Sequence, residues 1–345
     1  MKVAKFGGSS VAGAEQFKKV KAIVEADPER RVVVVSAAGK RNADDHKLTD
    51  LLYLCHAHLN YGVSCSDIFN TIEQRLTEIR DELGLSYDIE SELKELERTL
   101  SKDTPVDLLV SRGEYFTSKL MAEYLGYTFV DAADCVIFSF DGSIDYERSY
   151  ALIAEAAEKY GRIVIPGFYG RVSTGKIKVM TRGGSDITGS LAAVAVNADV
   201  YENWTDVSGI LMADPRIVDN PEPIKKITYA ELRELAFMGA TVLHEESVQP
   251  VREKGIPLNI RNTNRPQDPG TMIVGNIDRE NSDDRFITGI AGRKNFTIIT
   301  LQKHDMHTSH TLRQALEVFE RYHAPIEHIA LGLDSFALVT SSAGL

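Results

Sequence analysis

The alternation of strand and helix patterns, which begins at the first residues, constrains the fold of this chain more than any other feature. Residues 3–6, with the sequence VAKF, predict a strand that Gly7 and Gly8 end. Apolar residues then recur at helical spacing between residues 17 and 24. The β-branched run 31–37 predicts a buried strand. Strands that alternate with helices favour βαβ units, so we expect an α/β fold with a mainly parallel sheet.

The same alternation continues through most of the chain. Helices are expected over residues 46–58, 67–100 with a break near Gly84, 107–124, 149–160, 187–196, 228–238 and 242–253, strands over 128–131, 162–166, 200–204, 257–260 and 271–274, and a hairpin over 169–180. The polar run 276–284 is the best linker candidate. A new pattern follows it, with strands at 296–301, 326–331 and 336–340 and a helix at 312–322. We therefore expect two domains, residues 1–280 and 286–345.

Charge and composition narrow the class of function. The chain has 39 Lys and Arg against 50 Asp and Glu, and its formal charge of −11 is opposite to that of a typical nucleic-acid binder. Anionic substrates would need positive charge concentrated at the site. No apolar run is long enough to span a bilayer, and the three cysteines lack metal-ligand spacing. We therefore expect a cytoplasmic protein with neither a nucleic-acid nor a membrane partner.

The first candidate site is the turn after the N-terminal strand, residues 5–10, with the sequence KFGGSS. A strand that ends in two glycines and opens a helix exposes backbone N–H groups that can bind phosphate oxygens. Lys5 would add a positive charge near them. The alternative is a tight strand–helix turn beside an exposed lysine.

The second candidate is residues 182–186, with the sequence RGGSD, directly before a helix of small residues. Glycines let the backbone approach a ligand closely, and Ser185 or Asp186 can cap the helix. Arg182 offers a planar fork that matches a carboxylate or a phosphate. The alternative is an ordinary helix cap with a surface arginine, which leaves the two glycines unexplained.

The third candidate is the sequence SRGE at residues 111–114, inside a predicted helix. A glycine there costs about 1 kcal/mol relative to alanine, so it needs a reason. Glu114 could accept a hydrogen bond from a substrate ammonium. The alternative is a solvated helix glutamate.

The fourth candidate follows the strand that ends near residue 204. Asp206 and Asp214 could hold ribose hydroxyls or a magnesium shell, and Arg216 could contact phosphates. The alternative is turn chemistry, because both segments are ordinary turn sequences.

Several common nucleotide and metal motifs are missing from the sequence. It contains no P-loop sequence GxxxxGK[ST], and Gly7 and Gly8 do not extend to the dinucleotide-binding pattern GxGxxG. There is no HExxH pair, and His304, His307 and His310 fall in a polar segment that we interpret as solvated rather than metal-binding.

The ordered set of motifs resembles aspartate kinase of the amino-acid kinase superfamily, over essentially the whole chain. The resemblance implies a three-layer α/β/α catalytic domain with a mainly parallel sheet, followed by the start of an ACT-like α+β module. It also implies transfer of the ATP γ-phosphoryl group to the side-chain carboxylate of L-aspartate, which gives 4-phospho-L-aspartate, the first step of lysine, threonine and methionine biosynthesis. Mg²⁺ would arrive on the nucleotide, and no resident metal is expected.

The resemblance also implies roles for individual residues. Lys5 would contact phosphate and Asp186 would orient it, Glu114 would bind the aspartate amino group, and Arg182 would bind a substrate carboxylate. The remaining expected contacts are Ser36, Thr49 and Ser185 on the substrate side and Gly7, Gly8, Ser9, Thr205, Asp206, Asp214 and Arg216 on the nucleotide side.

Two positions depart from the family pattern. Thr241 stands where a lysine is usual, and Leu211 where a tyrosine often flanks the adenine. Two alternatives therefore stay open: another carboxylate kinase of the superfamily, such as a glutamate kinase, and a non-catalytic ACT-type amino-acid sensor. The incomplete ACT-like segment leaves sheet edges that favour pairing, so a homodimer is expected, and the segment makes an amino-acid effector a further candidate partner.

Overall fold

A computed structural model describes residues 1–181, 183–239, 243, 245–277, 287–302 and 308–342. The chain divides into two compact units, Met1–Ile290 and Ala291–Leu345. Within the described ranges no helix is both long and apolar enough to cross a membrane.

The first unit is built on an eight-stranded sheet. Its strands are β1 (Lys2–Phe6), β2 (Arg30–Val35), β3 (Thr128–Phe129), β5 (Ile163–Pro166), β8 (Val200–Thr205), β9 (Lys226–Thr228), β10 (Leu258–Asn262) and β11 (Thr271–Val274), in the order β3-β5-β2-β1-β8-β10-β11-β9. All neighbouring strands are parallel except β10 and β11. The expectation of a mainly parallel sheet is confirmed.

Helices connect these strands. They are α1 (Ala14–Glu25), α2 (Leu48–Asn60), α3 (Ser66–Leu83), α4 (Ile89–Thr99), α5 (Val106–Leu125), α6 (Ala132–Cys135), α7 (Tyr146–Tyr160), α8 (Gly184–Ala195), α9 (Tyr229–Phe237) and α10 (Glu245–Glu253). A 3₁₀ turn at Gly8–Val11 precedes α1. Gly84 ends α3 in the left-handed conformation (φ 64°), which explains the break predicted within residues 67–100.

The core lies on both faces of the sheet. Val32 and Val34 of β2 pack with α7, α8 and α10 on one face, whereas Val33 and Val35 pack with α1 to α5 on the other. Because successive residues of a strand point to opposite faces, a strand of β-branched residues can fill both cores. The result is the three-layer α/β/α arrangement that the resemblance implied.

A second, three-stranded sheet extends the first unit beside α5 and α6. It contains β4 (Ile137–Phe138), β6 (Tyr169–Val172) and β7 (Ile177–Val179) in the order β4-β6-β7. The antiparallel pair β6 and β7 confirms the predicted hairpin. The predicted strand 128–131 is shorter than expected because Asp131 caps α6, its side chain accepting a hydrogen bond from the backbone N–H of Ala133 at 2.9 Å.

The second unit has a β-α-β-β order. Its elements are β12 (Phe296–Gln302), α11 (Thr308–Arg321), β13 (His328–Leu331) and β14 (Ser335–Ser341), and the antiparallel sheet has the order β12-β14-β13. Phe319, Phe336 and Leu338 form its buried core. This β-α-β-β arrangement is consistent with the ACT-like α+β module that was expected. His310 lies in the helix α11, not in a loop, and its side chain is exposed. His304 and His307 lie outside the described residues.

Candidate functional site

The candidate site lies where four neighbouring parallel strands end together. In register, Phe6 of β1 is level with Val35 of β2 and with Trp204 of β8, and Val35 is level with Pro166 of β5. The carboxyl ends of strands in an open α/β sheet are where ligands usually bind. The turns that follow these strands carry the predicted motifs, although the motifs are far apart in the sequence.

Lys5 and Asp186 form a partly buried ion pair at this edge. The Lys5 ammonium nitrogen lies 2.6 Å from Asp186 Oδ1, and only 9% of the Lys5 side chain and 17% of the Asp186 side chain are exposed. Lys5 is the fourth residue of β1, and Asp186 is in the first turn of α8. The structure therefore brings the first and second predicted motifs together.

The backbone around Gly8 is held by close contact with a second glycine. Gly39 N–H donates to Gly8 O at 2.9 Å, and a Cβ on Gly39 would lie 2.5 Å from the Gly8 carbonyl carbon. Arg75, a buried residue of α3, donates a hydrogen bond of 2.6 Å to Gly39 O. The turn after β1 and the turn after β2 are thus fixed to each other.

The amide groups available for an anion are fewer than the sequence suggested. Gly7 N–H donates to Trp204 O at 3.0 Å, so it is already used by the protein. Gly8 and Ser9 open the 3₁₀ turn, where the first N–H groups have no partner within the helix, and none of the described backbone bonds uses them. Gly7 lies beside the cation, because a Cβ there would be in ordinary van der Waals contact with the Lys5 ammonium at 3.6 Å.

Glu114 is a buried carboxyl group with an unsatisfied oxygen. It is 5% exposed, and no residue that the structure describes forms a hydrogen bond with its Oε2. Burial raises the pKa of Glu114 to about 8, an effect that hydrogen bonds from the backbone N–H of Ala37 and from its own backbone oppose. The interpretation of Glu114 as a solvated helix residue is therefore wrong.

Gly113 explains how Glu114 reaches this position. A Cβ at Gly113 would lie 3.0 Å from the Ala37 side chain and 3.2 Å from Leu52, so the glycine lets α5 approach the turn after β2. Thr117, one turn later, donates to Gly113 O at 2.7 Å and accepts from Ala38 N–H at 3.2 Å. The helical glycine therefore has a packing reason.

Ser185 lies against the turn that follows β5. A Cβ at Gly167 would fall 2.5 Å from Ser185 Oγ, and Gly167 N–H donates to Val35 O at 2.9 Å. The neighbouring Phe168 has a positive φ of 77°, and its N–H donates to Thr188 of α8 at 3.2 Å. A non-glycine residue in this conformation costs about 1 kcal/mol or more, so the surrounding contacts must hold this turn in place.

Ser36 and Thr49 flank the turn after β2. Ser36 N–H donates to Phe6 O at 3.1 Å, which extends the β1–β2 pairing by one residue. Thr49 is in the first turn of α2, whose start is fixed by a bond from Leu48 N–H to Ala38 O at 3.0 Å. Both side chains are half-buried.

The nucleotide-side candidates lie beyond β8 and are more exposed. Thr205 donates to Asp206 Oδ1 at 3.1 Å. Arg216 is 87% exposed and forms an ion pair with Asp214 at 2.6 Å, and its hydrogen bond holds the pKa of Asp214 down to about 2. Leu211 is 38% exposed and pairs with Pro223 in an isolated bridge.

Some expected positions cannot be placed, and one residue was missed. Arg182 and Thr241 lie outside the described residues. Asn203, which the sequence analysis did not single out, contacts both Lys5 and Asp186. In the described ranges no group of three His, Cys, Asp or Glu side chains could hold a metal ion.

Comparisons with known proteins were made for the sequence and for the structure. The Amino acid kinase family profile matches residues 1–262. Aspartokinase 3 of Bacillus subtilis (strain 168) is 36% identical over 354 residues, which cover 98% of this chain and 77% of that protein.

Two solved proteins resemble the structure over its whole length. Aspartate kinase of Clostridium acetobutylicum has a TM-score of 0.92 and 48% sequence identity, covering 100% of this chain and 79% of that one. E. coli aspartokinase III in complex with aspartate and ADP has a TM-score of 0.75 and 26% sequence identity, and the match covers 100% of this chain and 79% of that one. The same enzyme in complex with lysine and aspartate has a TM-score of 0.77 and 27% sequence identity, and the match covers 100% of this chain and 80% of that one.

Proposed function

The chain belongs to the amino acid kinase family and, within it, to the aspartate kinases, and from this premise we propose how its residues transfer the γ-phosphoryl group of ATP to the side-chain carboxylate of L-aspartate. The observation that carries the assignment of roles is the Lys5–Asp186 ion pair beside the free amides of Gly8 and Ser9. It joins a fixed cation and open hydrogen-bond donors at the end of a parallel strand.

The chemical problem for such an enzyme is to bring two anions together. A carboxylate oxygen of aspartate attacks the γ-phosphorus, the bond from that phosphorus to the β,γ-bridging oxygen breaks, and ADP leaves with the electron pair. Lys5 and the amides of Gly8 and Ser9 offset the negative charge on the transferred group. Arg182 adds a second cation on the side of the substrate carboxylate.

Glu114 selects a substrate with a free amine. Its unsatisfied Oε2 is an acceptor that an ammonium can fill, and a ligand without the amine would leave it unpaired. Ser36, Thr49 and Ser185 complete the aspartate side. No general base is required, because the attacking carboxylate is already ionised near pH 7.

The nucleotide binds beyond β8 in this proposal. Thr205, Asp206, Asp214 and Arg216 are its contacts there, and Gly7 lies beside the Lys5 ammonium that faces its phosphates. ATP use is supported by the ADP bound to the E. coli relative. Mg²⁺ arrives with ATP as part of the substrate.

We propose that the two domains predicted from the sequence have different functions. Residues 1–280 form the catalytic domain, and residues 286–345 belong to an effector-binding module of ACT type. The lysine complex of the E. coli relative makes an amino acid the natural effector class. A homodimer is proposed because β12 and β13 are edge strands of a small sheet.

The test is ADP release by the whole chain with Mg-ATP and a panel of acceptors: L-aspartate, L-glutamate, N-acetyl-L-glutamate, carbamate and no acceptor. We expect turnover with L-aspartate well above the rate without acceptor. Higher turnover with L-glutamate would favour another carboxylate kinase. Calorimetric binding of an amino acid with no nucleotide binding would favour a sensor.

A further inference from the structure

We propose that Asn203 is a positioning residue for phosphoryl transfer, which fixes the Lys5–Asp186 ion pair so that the Lys5 ammonium faces the phosphate. The inference rests on the proposed function. Asn203 is 4% exposed and lies on β8, directly across from Lys5 of β1 in the parallel register.

The contacts of Asn203 join both members of the pair. Its Nδ2 donates to Asp186 Oδ1 at 2.9 Å, and its Oδ1 lies 3.5 Å from the Lys5 ammonium nitrogen. The same Asp186 oxygen accepts from Lys5 at 2.6 Å. The three side chains therefore form a closed triangle in which every polar contact has the favourable sign.

An amide suits this position better than any other side chain of similar size. It offers an acceptor to the cation and a donor to the anion at the same time. The opposite amide orientation would turn the NH₂ toward the ammonium and the carbonyl toward the carboxylate, so the neighbours define the orientation. The amide also adds no negative charge close to where phosphate must bind.

A second residue of β8 forms a hydrogen bond with the main chain of Asp186. Tyr201 OH donates to Asp186 O at 3.2 Å, and Gly189 makes room for the ring, since a Cβ there would lie 2.3 Å from Tyr201 OH. Tyr201 and Asn203 are two residues apart and share the face of the sheet that α8 covers. β8 thus holds both the backbone and the carboxylate of Asp186.

The consequence concerns the third N–H of Lys5. An ammonium has three donors, and Asp186 and Asn203 occupy two of its directions. Fixing two directions fixes the third, which leaves one donor for a phosphate oxygen at no cost in reorganisation. Without Asn203 the ammonium keeps its charge and its ion pair but can rotate about a single contact.

The experiment compares Asn203→Leu and Asn203→Asp with the matched control Asn259→Leu. Asn259 is a buried asparagine of the neighbouring strand β10, level with Glu202 and therefore on the opposite face of the sheet. For Asn203→Leu we expect kcat to fall about 10- to 100-fold, with the KM for aspartate changed less than about threefold. The control should keep the wild-type kcat. Equal kcat in Asn203→Leu and wild type would overturn the proposal.

The Asn203→Asp variant supplies a readout that a purely structural role would not move. A protonated carboxyl can donate to Asp186 and accept from Lys5 as the amide does, whereas the ionised form repels Asp186. Tyr201, whose OH contacts Asp186 O, is a further titratable group that faces this cluster. We expect its activity relative to wild type to rise as the pH is lowered. An unchanged pH profile with activity lowered in proportion to the folded fraction would indicate a structural role instead.

A chemical readout separates this proposal from the assignment of the reaction. The rate at which acetic anhydride acetylates Lys5, measured by mass spectrometry against exposed lysines, should rise severalfold in Asn203→Leu and stay unchanged in Asn259→Leu. An unchanged Lys5 rate overturns the positioning role. Failure of the wild type to release ADP with any acceptor overturns the proposed function, and the acetylation rates still decide the role of Asn203.

Discussion

Gly8 and Gly39 lie backbone to backbone, joined by a hydrogen bond of 2.9 Å from Gly39 N–H to Gly8 O. The contact joins the turn after β1 to the turn after β2. The first turn carries the Gly8 and Ser9 amides, which have no backbone partner among the described residues, and in the second turn the Ala37 N–H contacts Glu114. The phosphate side and the amino-acid side of the proposed site therefore share one rigid support.

The first prediction follows from this contact. In Gly39→Ala the new Cβ would meet the Gly8 carbonyl carbon at 2.5 Å, so the two turns must separate. We expect kcat/KM for ATP to fall about 10- to 100-fold, because small displacements at a reacting centre are costly. Steady-state kinetics at varied ATP concentration measures this change in kcat/KM.

The control for this prediction is Gly13→Ala in the same segment. No atom lies within 4 Å of a Cβ at Gly13, and its backbone is extended, with φ −171°. Gly13→Ala should change kcat/KM by less than about twofold and cost about 0.5–1 kcal/mol of stability, because glycine is a better N-cap residue than alanine. Equal losses in the two variants would show that the Gly8–Gly39 contact has no special role.

The second prediction concerns the charge of Lys5. Lys5→Met keeps most of the side-chain length but removes the cation from Asp186 and from the transferred phosphate. We expect kcat to fall about 100- to 1000-fold, as when one transition-state donor is removed. Lys18→Met is the control, since Lys18 is exposed and paired only with Glu15 in the described structure. A wild-type kcat for Lys5→Met would remove Lys5 from the mechanism.

The third prediction concerns pH-dependent stability. In the folded protein the pKa of Glu114 is raised to about 8 from an ordinary value of 4.5, so between these pH values the folded chain holds a proton that the unfolded chain has lost. The contribution of Glu114 to the free energy of unfolding is therefore fully present below pH 4.5 and is lost as the pH rises to about 8. Glu114→Gln stays neutral and should lack this loss.

The measurement is the thermal midpoint of wild type and Glu114→Gln at pH values from 5 to 9, without substrates. We expect the wild type to lose more stability than the variant across this range, and the variant to be the more stable one above pH 8. Parallel curves for the two proteins would contradict the raised pKa of Glu114.

The fourth prediction concerns substrate binding by the same residue. Glu114→Gln removes the negative charge offered to the substrate ammonium, and a hydrogen bond to a charged group is worth about 1.5–3 kcal/mol. We expect the KM for aspartate to rise about 10- to 100-fold at pH 8.5, with a smaller effect on kcat and on the KM for ATP. An unchanged KM for aspartate would place the amino group elsewhere.

The fifth prediction tests a buried ion pair below the site. Arg30 donates to both carboxylate oxygens of Glu202, at 2.6 and 3.1 Å, and Glu202 also accepts from the Trp204 ring nitrogen at 3.0 Å. Removing one partner of a buried pair leaves an uncompensated charge, so Glu202→Leu should cost about 3–5 kcal/mol of unfolding free energy.

Urea denaturation of Glu202→Leu measures this cost. The comparison variant is Glu78→Ala, which breaks an exposed pair with Arg41 at 2.9 Å and should cost less than about 1 kcal/mol. A cost for Glu202→Leu no greater than that for Glu78→Ala would show that the buried pair contributes little.

The order of strands and helices and the class of the fold could be predicted from the sequence because the hydrophobic period changes visibly between elements. The strand run 31–37 and the helices around Gly84 are examples. The short strands β4 and β9 were not predicted, since two or three residues carry no readable period. Asp131 ended a predicted strand because its side chain caps α6, a local effect that a hydrophobic pattern does not contain.

The sequence pointed to site residues where glycines and charged residues are neighbours in the chain. It did not point to residues that only strand pairing brings to the site. Asn203 reads as an ordinary strand residue, and only the parallel pairing of β1 with β8 sets it opposite Lys5, 198 positions away. The loss of the Gly7 amide to Trp204 has the same origin. Glu114 was singled out from the sequence because it follows a helical glycine, but its burial and its unsatisfied oxygen depend on the packing of α5 on Ala37, which the sequence does not show.

The most direct test of the account is aspartate-dependent phosphoryl transfer trapped by hydroxylamine. With Mg-ATP, L-aspartate and hydroxylamine, the whole chain should form aspartyl hydroxamate and ADP in equal amounts, and Lys5→Met should lower both together. ADP formation that is independent of aspartate, or the absence of hydroxamate from the wild-type reaction, would contradict the claim that Lys5 and its surroundings support this transfer.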